Sequence, residues 1–102
     1  MKSINWGVYL CELSWKVDKI RNFIEQTEIL SFYGIFANDH LTGFDESLGG
    51  KDSYLEAWTF ITATLTCSRR LRAGYTVLCQ SFRSPALLEK LVSSIDILSE
   101  GE

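Results

Sequence analysis

Apolar positions along this chain alternate between short continuous runs and longer stretches with helical spacing. Residues 4–10, Ile4-Asn-Trp-Gly-Val-Tyr-Leu10, form such a run, which predicts a strand covered on both faces as in a parallel sheet. From about 15 to 30 the pattern changes. Val17, Ile20, Phe23, Ile24 and Leu30 recur at helical spacing among Lys16, Lys19, Arg21, Glu25 and Glu28, the signature of an amphipathic helix. Gly34 breaks it, and Ile35-Phe-Ala37 predicts a second buried strand ending at the polar trio Asn38-Asp-His40.

Residues 41–52 hold Gly43, Gly49 and Gly50 without any apolar period, and they predict a long loop. Ser53 and Glu56 then have the spacing of a capping box, opening a helix that runs to about Cys67. Leu55, Trp58, Ile61 and Leu65 lie on one face of it, so Trp58 reads as core packing. A third strand is expected over 71–78. Ser84-Pro85 marks the next helix start, because proline at the first helical position lacks only an amide that has no partner there anyway. Leu87, Leu88, Leu91, Val92, Ile95 and Leu98 then line one broad face, with Gly101 as the stop.

The order β-α-β-α-β-α, with connections long enough to bring each strand in parallel, defines an α/β architecture. No internal linker or low-complexity tract divides it, so residues 1–102 read as one domain.

Composition narrows the function classes. The 102 residues are 46% hydrophobic with a net charge of -3, which fits one globular unit. The only basic cluster is Arg69-Arg-Leu-Arg72. A surface tracking nucleic-acid phosphates needs a wider basic stripe, so nucleic acid is not an expected partner, and the cluster is assigned to a solvated helix end. No apolar run approaches a membrane span, and Met1-Lys2 does not lead into a signal-peptide pattern; a cytoplasmic protein is expected. Cys11, Cys67 and Cys79 suggest neither a disulfide framework nor a metal site and are expected as buried or strand-end thiols.

Four segments, in order, resemble the luciferase-like oxidoreductases, the family of the bacterial luciferases and the reductases that use the deazaflavin coenzyme F420. They are Gly34-Ile-Phe-Ala-Asn-Asp-His-Leu41, Leu55-Glu-Ala-Trp58, Ser68-Arg-Arg-Leu-Arg-Ala-Gly74, and Phe82-Arg-Ser-Pro-Ala-Leu-Leu88 with its continuation to Gly101. The resemblance implies a parallel segment equivalent to the first three units of a TIM (β/α)8 barrel. Such a barrel takes roughly 250 residues, so the segment is incomplete as a barrel. It also implies an active site at the carboxyl ends of the strands.

On that edge the resemblance assigns Asp39 and His40 to the catalytic pair near the reactive face of the cofactor. It assigns Thr76, Val77 and Cys79 to cofactor contact, with a cis peptide at Thr76–Val77. Arg83-Ser84-Pro85 is a helix entry first, and the free amides of that entry are a further candidate for an anionic ligand. The expected cofactor is coenzyme F420, with FMN as the alternative, acting on a small-molecule substrate by hydride transfer or oxygen activation. No glycine-rich phosphate loop is present, and a metal is not expected. A competing expectation is a non-catalytic assembly subunit or truncated remnant, forming a homo-oligomer or joining a complementing chain through open sheet edges and apolar helix faces.

Overall fold

The computed structural model describes residues 3–11, 15–42 and 54–101. Three parallel strands, β1 (Gly7–Leu10), β2 (Gly34–Ala37) and β3 (Arg72–Tyr75), form one sheet in the order β1-β2-β3. Helix α1 (Val17–Ile29) joins the first two, and α2 (Ala57–Cys67) lies between β2 and β3. A 3-10 turn, Gln80–Phe82, precedes α3 (Pro85–Leu98). The α/β reading therefore holds at the level of three parallel strands and three helices.

Register explains where the core sits. Val8, Ile35 and Ala73 are paired across the sheet, as are Leu10, Ala37 and Tyr75; these rows face the helices. Leu10, Ile35 and Ala37 join Ile20 and Ile24 of α1 and Phe60, Ile61 and Leu65 of α2 in one buried cluster. The intervening rows Gly7-Gly34-Arg72 and Tyr9-Phe36-Gly74 point to the opposite face, because successive side chains in a strand alternate.

Several expectations are corrected. The first strand is shorter than 4–10, and it is not covered on both faces: Ile4, Trp6 and Tyr9 are exposed. It is an edge strand, bonded only to β2, and the core lies on one side of it. The third strand also falls short of 71–78. Leu71 is buried just before it, and after Tyr75 one more rung forms, from the Thr76 amide to the Ala37 carbonyl at 2.9 Å.

Helix α2 starts later than the capping-box spacing predicts. Glu56 is itself the N-cap, its Oε2 accepting from the Thr59 amide at 2.9 Å. Ser53 and most of the predicted loop, residues 43–52, lie outside the described residues. The predicted start of α3 is observed: Ser84 caps it, with Oγ accepting from the Leu87 amide at 3.3 Å, and Pro85 takes the first turn. The helix closes with the Gly101 amide donating to the Asp96 carbonyl at 3.0 Å and the Glu100 amide to the Ile97 carbonyl at 3.3 Å, a Schellman-type end whose left-handed residue is Glu100, at φ +56°, one position before the glycine expected as the stop. Yet α3 has no buried residue, although Ile95 packs against the core from it.

Cysteines Cys11 and Cys67 are exposed and Cys79 is half-buried, all as free thiols. Cys67 ends a helix rather than a strand. The basic cluster follows α2, as expected of a helix end, but it serves α1. Arg70 Nη2 donates to the Glu28 carbonyl at 2.7 Å, neutralising the negative end of the α1 dipole. The Glu28 side chain accepts from Ser68 Oγ at 2.8 Å and from the Arg69 amide at 3.2 Å. The Ser68 hydroxyl foremost, with Arg70 adding to it, holds the Glu28 carboxyl below its ordinary pKa. Among the described residues no helix is long and apolar enough to cross a membrane.

Candidate functional site

The carboxyl ends of β2 and β3 are joined by ionic hydrogen bonds. Ala37 faces the core, so the alternation along the strand carries Asp39 to the same side, where it is buried. A lone buried carboxylate is costly to keep ionised. Here its charge is met by Arg83, from the segment between the 3-10 turn and α3. Arg83 Nη1 lies 2.5 Å from Oδ2 and Nη2 lies 2.9 Å from Oδ1, the two-pronged geometry that makes arginine–carboxylate pairs strong. Oδ2 also accepts from the Cys79 amide at 3.0 Å.

Arg83 Nη2 donates in addition to Glu56 Oε1. The cap of α2 is thereby part of the same network, so one guanidinium ties the end of β2, the start of α2 and the segment after β3. With side-chain exposures of 1% for Asp39 and 9% for Arg83, water screens this pair little. Burial raises the Asp39 pKa, but the Arg83 hydrogen bonds, the Cys79 amide and the Arg83 charge outweigh it, and the carboxyl titrates below its ordinary value. Glu56 behaves alike: burial raises it, while the Thr59 amide and Arg83 lower it further. The hydrogen bond to Asp39 pushes Arg83 upward.

Beneath this network lie two aromatic rings. Trp58, 8% exposed, packs against Tyr75 with centroids 5.1 Å apart and carries the Arg83 guanidinium 5.8 Å above its ring. Trp58 is buried, as its helical position implies, but it stands outside the main core cluster and also lines the open groove between α2 and α3. The Trp58 Nε1 and Tyr75 hydroxyl are buried without a hydrogen-bond partner among the described residues. Burial, and then the nearby Glu56 charge, raises the Tyr75 pKa.

The five residues assigned from the sequence separate into two environments. Asp39 is buried within the ionic network. His40, Thr76 and Val77 are exposed and Cys79 is half-buried. Asp39 and the Cys79 amide are in direct contact, and the His40 charge contributes to lowering the Asp39 pKa. The Thr76–Val77 peptide is cis. Two residues before His40, Asn38 is buried, donating to the Cys11 carbonyl at 2.9 Å and accepting from the Tyr54 hydroxyl.

Sequence reasoning took Arg83 as part of a helix start and Glu56 as half of a capping box, and so missed their joint role. The one available signal was that both lie inside the segments carrying the family resemblance. An open groove of about 690 Å³ runs between α2 and α3, bordered by Thr62, Thr66, Leu87 and Leu91, with Glu56 and Arg83 also in its lining. His40, Thr76, Val77 and Cys79 do not line it. Among the described residues no group of three His, Cys, Asp or Glu side chains could hold a metal ion.

Compared with known proteins, the chain matches no family model, and no curated protein matches it. Fold and site together define a class: a parallel α/β unit whose strand ends are clamped by an Asp–Arg–Glu network.

Proposed function

We propose that this chain supplies the rim of a deazaflavin- or flavin-dependent, luciferase-like oxidoreductase, in the cytoplasm, with coenzyme F420 favoured over FMN. One observation carries the reading. Asp39, at the end of β2, accepts the amide of Cys79 from the segment after β3, so His40 and the Thr76-to-Cys79 turn belong to one carboxyl edge of a parallel sheet. That edge is where parallel α/β folds bind ligands.

The residues fit the ring end of such a cofactor. Val77, 78% exposed, offers apolar surface to a flat heteroaromatic face, and Thr76 and the Cys79 segment border it. The cofactor phosphate is not met by Arg83, whose charge is taken by two carboxylates; further β/α units would hold it. When bound, the deazaflavin supplies hydride transfer, and reduced FMN would supply oxygen activation instead.

The side chains of this chain then have distinct tasks. The imidazole of His40, exposed on the rim, holds or moves a proton. Both Asp39 oxygens accept from Arg83, so Asp39 holds the adjoining loop in place and does not act as a base. A small-molecule substrate would approach from the exposed side of the rim.

A second reading, a non-catalytic assembly subunit, is favoured by α3. Leu87, Val92, Ile97 and Leu98 are all at least half exposed there, more apolar surface than a helix end needs. Titration of the purified chain with F420, and separately with oxidised and reduced FMN, tests both readings if the molecular mass is measured in the same samples. Saturable binding that His40→Ala weakens supports the oxidoreductase. A defined oligomer that binds none of the three supports the assembly subunit.

A further inference from the structure

We infer that Arg83 is a positioning residue for the rim, acting through Asp39 on the Thr76-to-Cys79 turn; the inference rests on the oxidoreductase reading for its purpose but not for its test. Three observations carry it. First, the turn after β3 leaves the sheet at Thr76, whose amide makes the last rung to Ala37. The next bond from its backbone back to β2 is that of the Cys79 amide to Asp39 Oδ2. Val77, between these two anchors, is therefore held by the position of one carboxylate oxygen.

Second, that oxygen is placed by Arg83. A carboxylate on a short side chain can rotate about its last bond, and a single amide donor does not stop it. Two parallel N–H donors do, because both oxygens must then lie in the guanidinium plane. Lysine, a single point charge, would leave that rotation free. Third, the guanidinium is itself fixed from the other side by Glu56, which is held as the cap of α2 through the Thr59 amide at 2.9 Å and the Thr59 hydroxyl at 3.2 Å. Rigidity thus passes from a helix N-terminus through Glu56, Arg83 and Asp39 to the loop. The remaining side of Arg83 rests over Trp58, which leaves the guanidinium little room to swing.

This arrangement separates two jobs that neighbouring residues are easily assumed to share. His40 faces solvent on the rim, whereas Asp39, one residue earlier, faces inward and governs the height of the loop. Any flat ligand lying against Val77 would feel Arg83 without touching it.

The test is amide hydrogen exchange by NMR on the unliganded chain, with the Ile35 rate, in the buried middle strand, reporting global opening and the Cys79 rate in excess of it reporting local opening of the loop. Arg83→Gln is expected to raise that local rate roughly tenfold, as loss of charge-assisted ordering implies, and Arg83→Lys to raise it by a smaller factor. Ser68→Ala, which cuts the network at the other end of the sheet, should raise the Ile35 rate and leave the local rate at Cys79 unchanged. If Arg83→Gln does not fold, Arg83→Lys alone decides. A local rate within twofold of the parent in whichever Arg83 variant folds, or an equal rise in Ser68→Ala, overturns the inference. Cofactor titration of the same variants is a separate readout: if the parent binds neither F420 nor FMN, the oxidoreductase reading fails while the exchange result stands.

Discussion

Replacing Asp39 by alanine tests how much of the fold depends on the carboxyl-edge network. The substitution leaves Arg83, whose side chain is only 9% exposed, with Glu56 as its remaining ionic partner, and it strips the Cys79 amide of its acceptor. Removing one member of a buried ion pair costs about 3–5 kcal/mol where the remaining charge is left without compensation; because Glu56 still faces Arg83, Asp39→Ala is expected at the lower end of that range. A chain of this size is stabilised in total by roughly 5–15 kcal/mol, so Asp39→Ala should remove a large share of it.

The companion Arg83→Met carries the complementary loss. The double variant should lose less than the sum of the two, by about 2 kcal/mol, since neither charge of the pair remains to be stranded. Urea unfolding followed by far-UV circular dichroism, and by the summed fluorescence of Trp6, Trp15 and Trp58, measures all three. A loss below about 1 kcal/mol for Asp39→Ala, or strict additivity in the double variant, would refute the argument that burial makes this pair costly to break.

Acid should destabilise the chain. Asp39, Glu56 and Glu28 all titrate below their ordinary values when folded, so the unfolded state binds more protons, and the stabilisation is complete above the usual carboxylate range near about pH 4. It is lost as pH falls through the depressed folded values; thermal midpoints between pH 7 and pH 2.5 should therefore drop mainly below pH 4, and a flat profile there would contradict the assignment. Gly34→Ala should cost about 1–3 kcal/mol by overpacking, because a Cβ at that position would stand 2.5 Å from the Arg72 carbonyl oxygen, a backbone atom of the neighbouring strand. Its urea midpoint is the measurement, and an unchanged midpoint would mean that β2 and β3 are not so closely apposed.

The parts of this fold that were legible in the sequence were those governed by neighbours in the chain. Ser84 and Pro85 announce α3 because a cap and a fixed φ act on the very next residues, and Ile20 and Ile24 announce the buried face of α1 because helical spacing places them there. Periodicity misled where burial depends on something the chain must still find. Leu87, Val92 and Leu98 have the spacing of a core face, yet that spacing only says they can be buried together. The run from Ile4 to Leu10 reads as covered on both sides for the same reason.

The candidate site was legible in part. Asp39 and His40 stand out as polar residues after an apolar run, but nothing local says that one turns inward and the other outward. Arg83 lies 44 positions from Asp39, and its side chain reads locally as a solvated cation before a helix. Glu56 misled through its spacing from Ser53, since one carboxylate can cap a helix from its own N-cap position or reach back from within the first turn. The choice between them is made by a partner that is distant in the sequence.

The sheet face turned away from the helices has its own logic in Phe36. Its ring occupies the space that side chains at both Gly7 and Gly74 would need: a Cβ at Gly7 would come within 2.5 Å of the ring and one at Gly74 within 3.1 Å. One aromatic residue on the middle strand therefore does the covering for three strands. These positions hold a single shared volume, so sequence drift at any one of them is coupled to the others. A side chain at 7 would require the Phe36 ring to move, and one at 74 would require it to give by a few tenths of an ångström, so the effects of substitutions at 7, 36 and 74 are coupled through one ring.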